Sequence, residues 1–171
     1  MQTGVETEGR RSFLAWLTGS IAALIATAIG IPLLGYTILP ALRRRAPQWA
    51  DAGPIDSLVP GVPRERELML SVTDGWQKTT TKKSVWVIKD DNGAITVYAP
   101  ICTHLGCGYR WEPDKEQFHC PCHHSFFSRD GRVLAGPAPR PLDVLPAKVQ
   151  DGRLLVMYKE FKSGVSAKIE L

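Results

Sequence analysis

All four cysteines and all four histidines of this chain lie between Cys102 and His124, so soft metal-ligand chemistry is confined to one patch. They fall in two segments, Cys102-Thr103-His104-Leu105-Gly106-Cys107 and Cys120-Pro121-Cys122-His123-His124-Ser125, separated by twelve residues. Each segment offers a thiolate and an imidazole at close spacing, Cys102 with His104 and Cys120 with His123, and each keeps a further cysteine, Cys107 and Cys122. Two thiolates and two imidazoles suit zinc or iron. A structural Cys2His2 zinc module is therefore one reading, although the spacing departs from zinc-site rules. His119 adjoins Cys120 in an expected strand and reads as a surface or hydrogen-bonding side chain rather than a ligand.

The two segments resemble the boxes C-T-H-L-G-C and C-P-C-H-G-S of the Rieske iron–sulfur proteins, departing from them at His124, where the second box has glycine. The resemblance implies that Cys102 and Cys120 bind one iron of a [2Fe–2S] cluster, that His104 and His123 bind the other, and that Cys107 and Cys122 form a disulfide. Neutral imidazoles in place of two thiolates raise the cluster's potential. The second cysteine pair is the mark of quinol-oxidising members; Rieske-type ferredoxins and ring-hydroxylating oxygenases usually lack it. A disulfide also calls for an oxidising compartment.

Gly136-Pro137-Ala138-Pro139-Arg140-Pro141 resembles the proline-rich loop that covers the cluster in the same family, with prolines that limit backbone freedom. With Leu105 and Pro121, Gly136 and Pro137 would form an apolar lid facing a cytochrome b-type partner. Ser125 matches the serine that donates to a cluster sulfide, whereas Phe127 stands where many ubiquinol-oxidising members have a donating tyrosine. A missing donor lowers the expected potential and points to menaquinol. His124 requires a positive φ if the family glycine is used for one; its imidazole is either a proton carrier or an exposed bystander.

These segments need an anchor and a scaffold. No charged residue occurs from Ser12 to Leu42, and residues 13–40 read as one transmembrane helix, with Trp16 and Tyr36 near its ends. Pro32 is expected to bend its second half. Residues 1–12 carry Arg10 and Arg11 in a pattern that looks like a twin-arginine export signal. Charge bias at Arg43, Arg44 and Arg45 would orient the helix oppositely; the export signal and the disulfide favour a head on the outer, periplasmic face of a bacterial cytoplasmic membrane. No clear small-residue cleavage site follows, so a retained single-pass anchor is expected. The net charge of +4 sits largely in the Arg43–Arg45 run, beside lipid headgroups, and nucleic acid is not an expected partner.

Residues 41–63, rich in Pro and Gly, read as an irregular linker. Residues 64–171 read as an all-β Rieske-type antiparallel barrel or sandwich with a small cluster-binding part near 100–142. Hairpins are expected about Asp90-Asp91-Asn92-Gly93, Asp130-Gly131 and Asp151-Gly152. Trp76, Trp86 and Trp111 are expected in the core or at its edge.

The implied function is that of the Rieske subunit of a dimeric, multi-subunit quinol:cytochrome c oxidoreductase. His123 would meet the quinol, and the electron would pass to a c-type cytochrome. The small subunit of another exported oxidoreductase, of the arsenite-oxidase kind, is the alternative.

Overall fold

The computed structural model describes residues 5–42, 48–74 and 77–171. It forms two units, Met1–Arg45 and Ala46–Leu171. Arg43–Arg45, Ala46, Pro47 and Trp76 lie outside the described residues.

In the first unit, α1 (Val5–Leu42) is a single helix of 38 residues. At 1.5 Å per residue it extends about 57 Å, against about 30 Å of membrane hydrocarbon. Its apolar part, Gly9–Leu39, is 31 residues long and unburied by the rest of the chain, which suits one crossing. Three hydroxyls are satisfied within the helix, as lipid requires: Thr18 donates to Leu14 C=O at 2.9 Å, Thr27 to Ala23 C=O at 2.7 Å and Thr37 to Leu33 C=O at 3.0 Å. The helix begins earlier than the expected residue 13. Glu6, Glu8, Arg10 and Arg11 are good helix formers, so the helix elongates through them.

Among the described residues the second unit has ten antiparallel strands in three sheets. The first sheet has the order β1 (Trp49–Pro54), β10 (Arg153–Met157), β9 (Ala147–Gln150). The second joins β2 (Arg64–Asp74), β3 (Gln77–Lys89) and β4 (Ile95–Tyr98), and the third runs β5 (Arg110–Glu112), β6 (Gln117–Cys120), β7 (Ser125–Ser128), β8 (Val133–Ala135). All three expected hairpins are present, and the last closes through Asp151 and Gly152 at φ 50° and 72°, the left-handed pair of a type I′ turn.

One expectation is corrected here: part of the 41–63 linker is structured. Ala50 and Ala52 are buried while Trp49 and Asp51 face out, and this alternation pairs Trp49 with Met157 and Ala50 with Val156. The alanines are too small to give a hydrophobic signal, and Gly53 and Pro54 disguise the strand end. Leu58 is buried as well.

Period-2 alternation puts two cores on opposite faces of β3 and β4. Val85, Val87 and Val97 join Leu68, Leu145, Leu154, Val156 and Phe161 in one core. Ile88 and Tyr98 join Cys102, Tyr109, Phe118, Cys120, Phe127 and Leu142 in the other. In that second core Trp86, Tyr98, Tyr109 and Trp111 all set ring edges against Phe118 or stack beside it, at centroid distances of 4.9–6.2 Å. It is the floor of the patch bearing every cysteine and histidine.

Candidate metal centre

The first Cys/His segment is a loop closed on itself. Cys102 N–H donates to Cys107 C=O at 2.7 Å, and Gly106 N–H returns to Cys102 C=O at 3.0 Å. Ile101 bridges Gly108 below it, so Thr103–Gly106 form a tip above a β-like base. The second segment is a hairpin end: Cys120 closes β6, Ser125 opens β7, the two are paired, and Pro121–His124 make the turn. His124 takes a left-handed φ of 54°, the conformation that the expected glycine would adopt freely. A disulfide between Cys107 and Cys122 ties the two tips.

Between the tips the ligand-type side chains sort by depth. The sulfurs are inside: Cys102 and Cys120 are both unbonded and buried. The imidazoles are outside: His104 and His123 meet edge to face, centroids 4.8 Å apart and planes at 90°, with His123 exposed. Burial pushes the Cys102 thiol above its usual pKa and the neighbouring Cys120 adds to this, while the His104 backbone N–H and the Ser125 hydroxyl, both directed at the sulfur, favour thiolate. The sulfurs of Cys107, Cys120 and Cys122 also lie within 4.8 Å of one another. Two of these are bonded together, so that trio supplies one thiolate and is not a ligand set.

Ser125 is wholly buried, and its Oγ has no nitrogen or oxygen partner among the described residues, with only the Cys102 sulfur before it. A sealed hydroxyl left with only sulfur beside it fits a pocket made for an anionic inorganic group. Two buried thiols, two outer imidazoles and this donor together fit an iron–sulfur cluster bound through both residue types. Phe127 is also fully buried, in the second core against Tyr109, and has no hydroxyl to offer.

The proline loop crosses directly behind the second tip. A Cβ on Gly136, at φ +96°, would fall 2.3 Å from His124 O and 2.6 Å from Ser125 Cα, so only glycine permits the crossing. Pro137 and Pro139 are exposed and Ala138 buried; Leu105, 61% exposed, and Pro121 stand on the rim.

His119 is buried and not on the surface. Its Nδ1 donates to Glu112 Oε1 at 2.8 Å, since a carboxylate can only accept, and its Nε2 lies 3.2 Å from His124 Nδ1. Phe126 stacks on His119 with centroids 4.5 Å apart. Hydrogen bonds from Gln117 and then His119 hold the Glu112 carboxyl at a pKa of about 2. Sequence reasoning missed Glu112, Thr103 and Arg140. The Thr103 hydroxyl donates to Arg140 C=O at 2.7 Å, and Arg140 forms a buried ion pair with Asp143 at 2.7 Å. A charged i,i+3 pair inside a proline-rich apolar run was a usable signal.

Residues 49–146 match the Rieske [2Fe-2S] domain. The chain is 32% identical over 149 residues to the menaquinol:cytochrome c reductase iron-sulfur subunit of Geobacillus thermodenitrificans, covering 85% of this chain and 88% of that one. It is 29% identical over 153 residues to the cytochrome b6-f complex iron-sulfur subunit of Chlorobaculum tepidum, covering 90% and 77%. A plasma-membrane Rieske protein of Synechocystis PCC 6803 is 28% identical, with 63% of this chain and 98% of that one aligned at a TM-score of 0.45. The matched span begins at the corrected first strand and includes both Cys/His tips, and on that extent the chain belongs to the Rieske family, whose [2Fe–2S] cluster is its cofactor.

Proposed function

We propose that the chain is the membrane-anchored Rieske subunit of a cytochrome bc-type quinol:cytochrome c oxidoreductase. Cys102 and Cys120 hold one iron, and His104 and His123 hold the other. When bound, the cluster supplies a one-electron acceptor of higher potential than an all-cysteine centre.

The residues around it do the rest. His123, the more exposed imidazole, presents its outer ring nitrogen to a quinol hydroxyl, accepts its hydrogen bond and holds the proton that leaves with the electron. Leu105, Pro121, Gly136 and Pro137 form an apolar rim that excludes water from that contact and faces a cytochrome b-type subunit. Ser125 donates toward sulfur at the cluster, and Phe127 cannot, which sets a lower potential suited to menaquinol. A c-type cytochrome receives the electron. Relatives whose names specify menaquinol or the b6-f complex support this choice of partners.

The helix Gly9–Leu39 supports a single-pass anchor. The Cys107–Cys122 disulfide supports a head in the oxidising space outside a bacterial cytoplasmic membrane. The head is delivered folded under Arg10 and Arg11 and works within a dimeric complex.

The observation that carries the proposal is the sorting of ligand types by depth, thiols buried and imidazoles nearer the surface, His104 half-buried and His123 exposed. The test is a redox titration, at several pH values, of the complex purified in detergent. A Rieske-type paramagnetic signal on reduction, a potential that falls as pH rises through the imidazole range, and co-purifying cytochrome b are expected. Absence of iron and acid-labile sulfide would overturn the cluster assignment; a cluster without cytochrome b would instead favour the arsenite-oxidase-like alternative.

A further inference from the structure

Three stretches remote in sequence meet behind the first Cys/His tip. The Arg140 side chain is 6% exposed and the Asp143 side chain 3%. Arg140 Nε and Nη2 donate to the two Asp143 carboxylate oxygens at 3.1 and 2.7 Å; Nη2 also donates to Lys162 C=O at 2.9 Å and Nη1 to Val165 C=O at 2.5 Å. The loop so captured, residues 162–165, in turn sends Gly164 N–H to Thr103 C=O at 2.9 Å. Thr103 closes the ring by donating its hydroxyl to Arg140 C=O at 2.7 Å.

The loop also abuts the tip itself. A Cβ on Gly164 would sit 3.4 Å from His104 O, and a Cβ on Gly106 would sit 3.5 Å from Ser163 Oγ. Thus residues 163 and 164 lie against the turn that carries His104, one beside Gly106 and the other beside His104 O. Lys162 and Gly164 are exposed; buried Phe161 and the bond from Lys162 N–H to Ile169 C=O at 2.9 Å hold only the root of this loop. What joins its far part to the proline loop is the guanidinium, whose rigid fan of donors holds a carboxylate and two carbonyls at once, as an ammonium or an apolar side chain cannot. A buried ion pair is weak evidence for stability and better evidence for holding one arrangement.

We infer that Arg140 is a positioning residue of the quinol site: with Asp143 and loop 162–165 it fixes Thr103 and the carbonyl side of His104, and so sets where the His104 ring stands beside His123. The inference rests on the assignment of Cys102 and His104 as cluster ligands. It goes beyond that assignment by giving the C-terminal loop, which lies past the matched span 49–146, a part in the chemistry.

The test uses the full chain in its membrane complex, comparing wild type with Arg140→Lys, which keeps the charge and loses the fork. The expected result is a normal iron content, with an altered paramagnetic line shape, a displaced midpoint potential and a several-fold rise in KM for quinol that exceeds the change in kcat. A variant that melts earlier while line shape, potential and KM stay at wild-type values would overturn the inference, because a merely structural ion pair does only that. Should Arg140→Lys fail to accumulate, Gly164→Pro decides: it removes the N–H donated to Thr103 C=O and cannot hold φ +77°, so the exposed loop must leave the tip, and the same spectral displacement supports the inference while a wild-type spectrum overturns it. If the wild-type complex itself holds no iron, the ligand assignment fails first, and that is visible before any variant is compared.

Discussion

Substituting Ser125 by alanine should act in opposite directions on the empty and the loaded head. In the cluster-free chain the hydroxyl is fully buried with no nitrogen or oxygen partner, and its neighbour, the Cys102 thiol, is a weak acceptor. An unsatisfied buried hydroxyl costs about 1–3 kcal/mol. Deleting the oxygen removes that cost and gives back about 1 kcal/mol in lost packing, so the empty Ser125→Ala chain should be equal to wild type or more stable by up to about 2 kcal/mol. In the loaded chain the same hydroxyl faces anionic sulfur, where a hydrogen bond is worth about 1.5–3 kcal/mol. If about half of that is gained on reduction, when the charge on sulfur grows, the difference is about 1 kcal/mol. With about 59 mV per tenfold for one electron, the midpoint should fall by roughly 30–60 mV. The assays are thermal unfolding of the cluster-free full chain in detergent and a redox titration of the loaded complex. An unchanged or raised potential, or an empty variant destabilised by more than about 2 kcal/mol, would refute the reasoning.

Three further outcomes follow from the geometry. Gly136→Ala, with a Cβ 2.3 Å from His124 O and φ at +96°, should destabilise the head by about 2–4 kcal/mol and lower cluster occupancy, read by melting and iron content. Removing the disulfide as the double variant Cys107→Ser, Cys122→Ser opens a link across a sequence separation of 15 and should cost about 3 kcal/mol in chemical unfolding, with faster loss of the cluster's visible absorbance. Glu112 has its folded pKa lowered from 4.5 to about 2, so the stability it contributes is present above pH 4.5 and is lost as pH falls toward 2; Glu112→Gln should lower stability at neutral pH, flatten the acid-unfolding profile between pH 4.5 and 2, and converge on wild type below it.

What the sequence disclosed and what it hid divides along the distance between partners. The two Cys/His segments are legible because each is one local turn, and the hairpins at Asp90–Gly93 and Asp151-Gly152 are legible because turn chemistry is local too. Asp90 Oδ1, for example, accepts from Asn92 N–H at 3.0 Å and Ala94 N–H at 2.7 Å. The strand Trp49–Pro54 was hidden because its inward residues are alanines and its partner lies in Arg153–Met157. Burial of His119 was hidden because Glu112, which satisfies it, sits on the facing strand, with Arg110 paired to His119. The Arg140 ring was hidden for the same reason: its acceptors are backbone carbonyls at 162 and 165, and a carbonyl leaves no mark in a sequence.

The pairing of Trp49 with Met157 also bears on biosynthesis. The opening strand of the head leaves the ribosome about a hundred residues before its mate, and at 5–20 residues per second the wait lasts about 5–20 s. Meanwhile it is an unpaired edge, kept from sticking by its brevity, the charge of Asp51 and the proline at its end. Closure of the first sheet therefore follows synthesis of the cysteine-bearing hairpins, which leaves an interval in which iron and sulfide can be delivered to a head not yet shut.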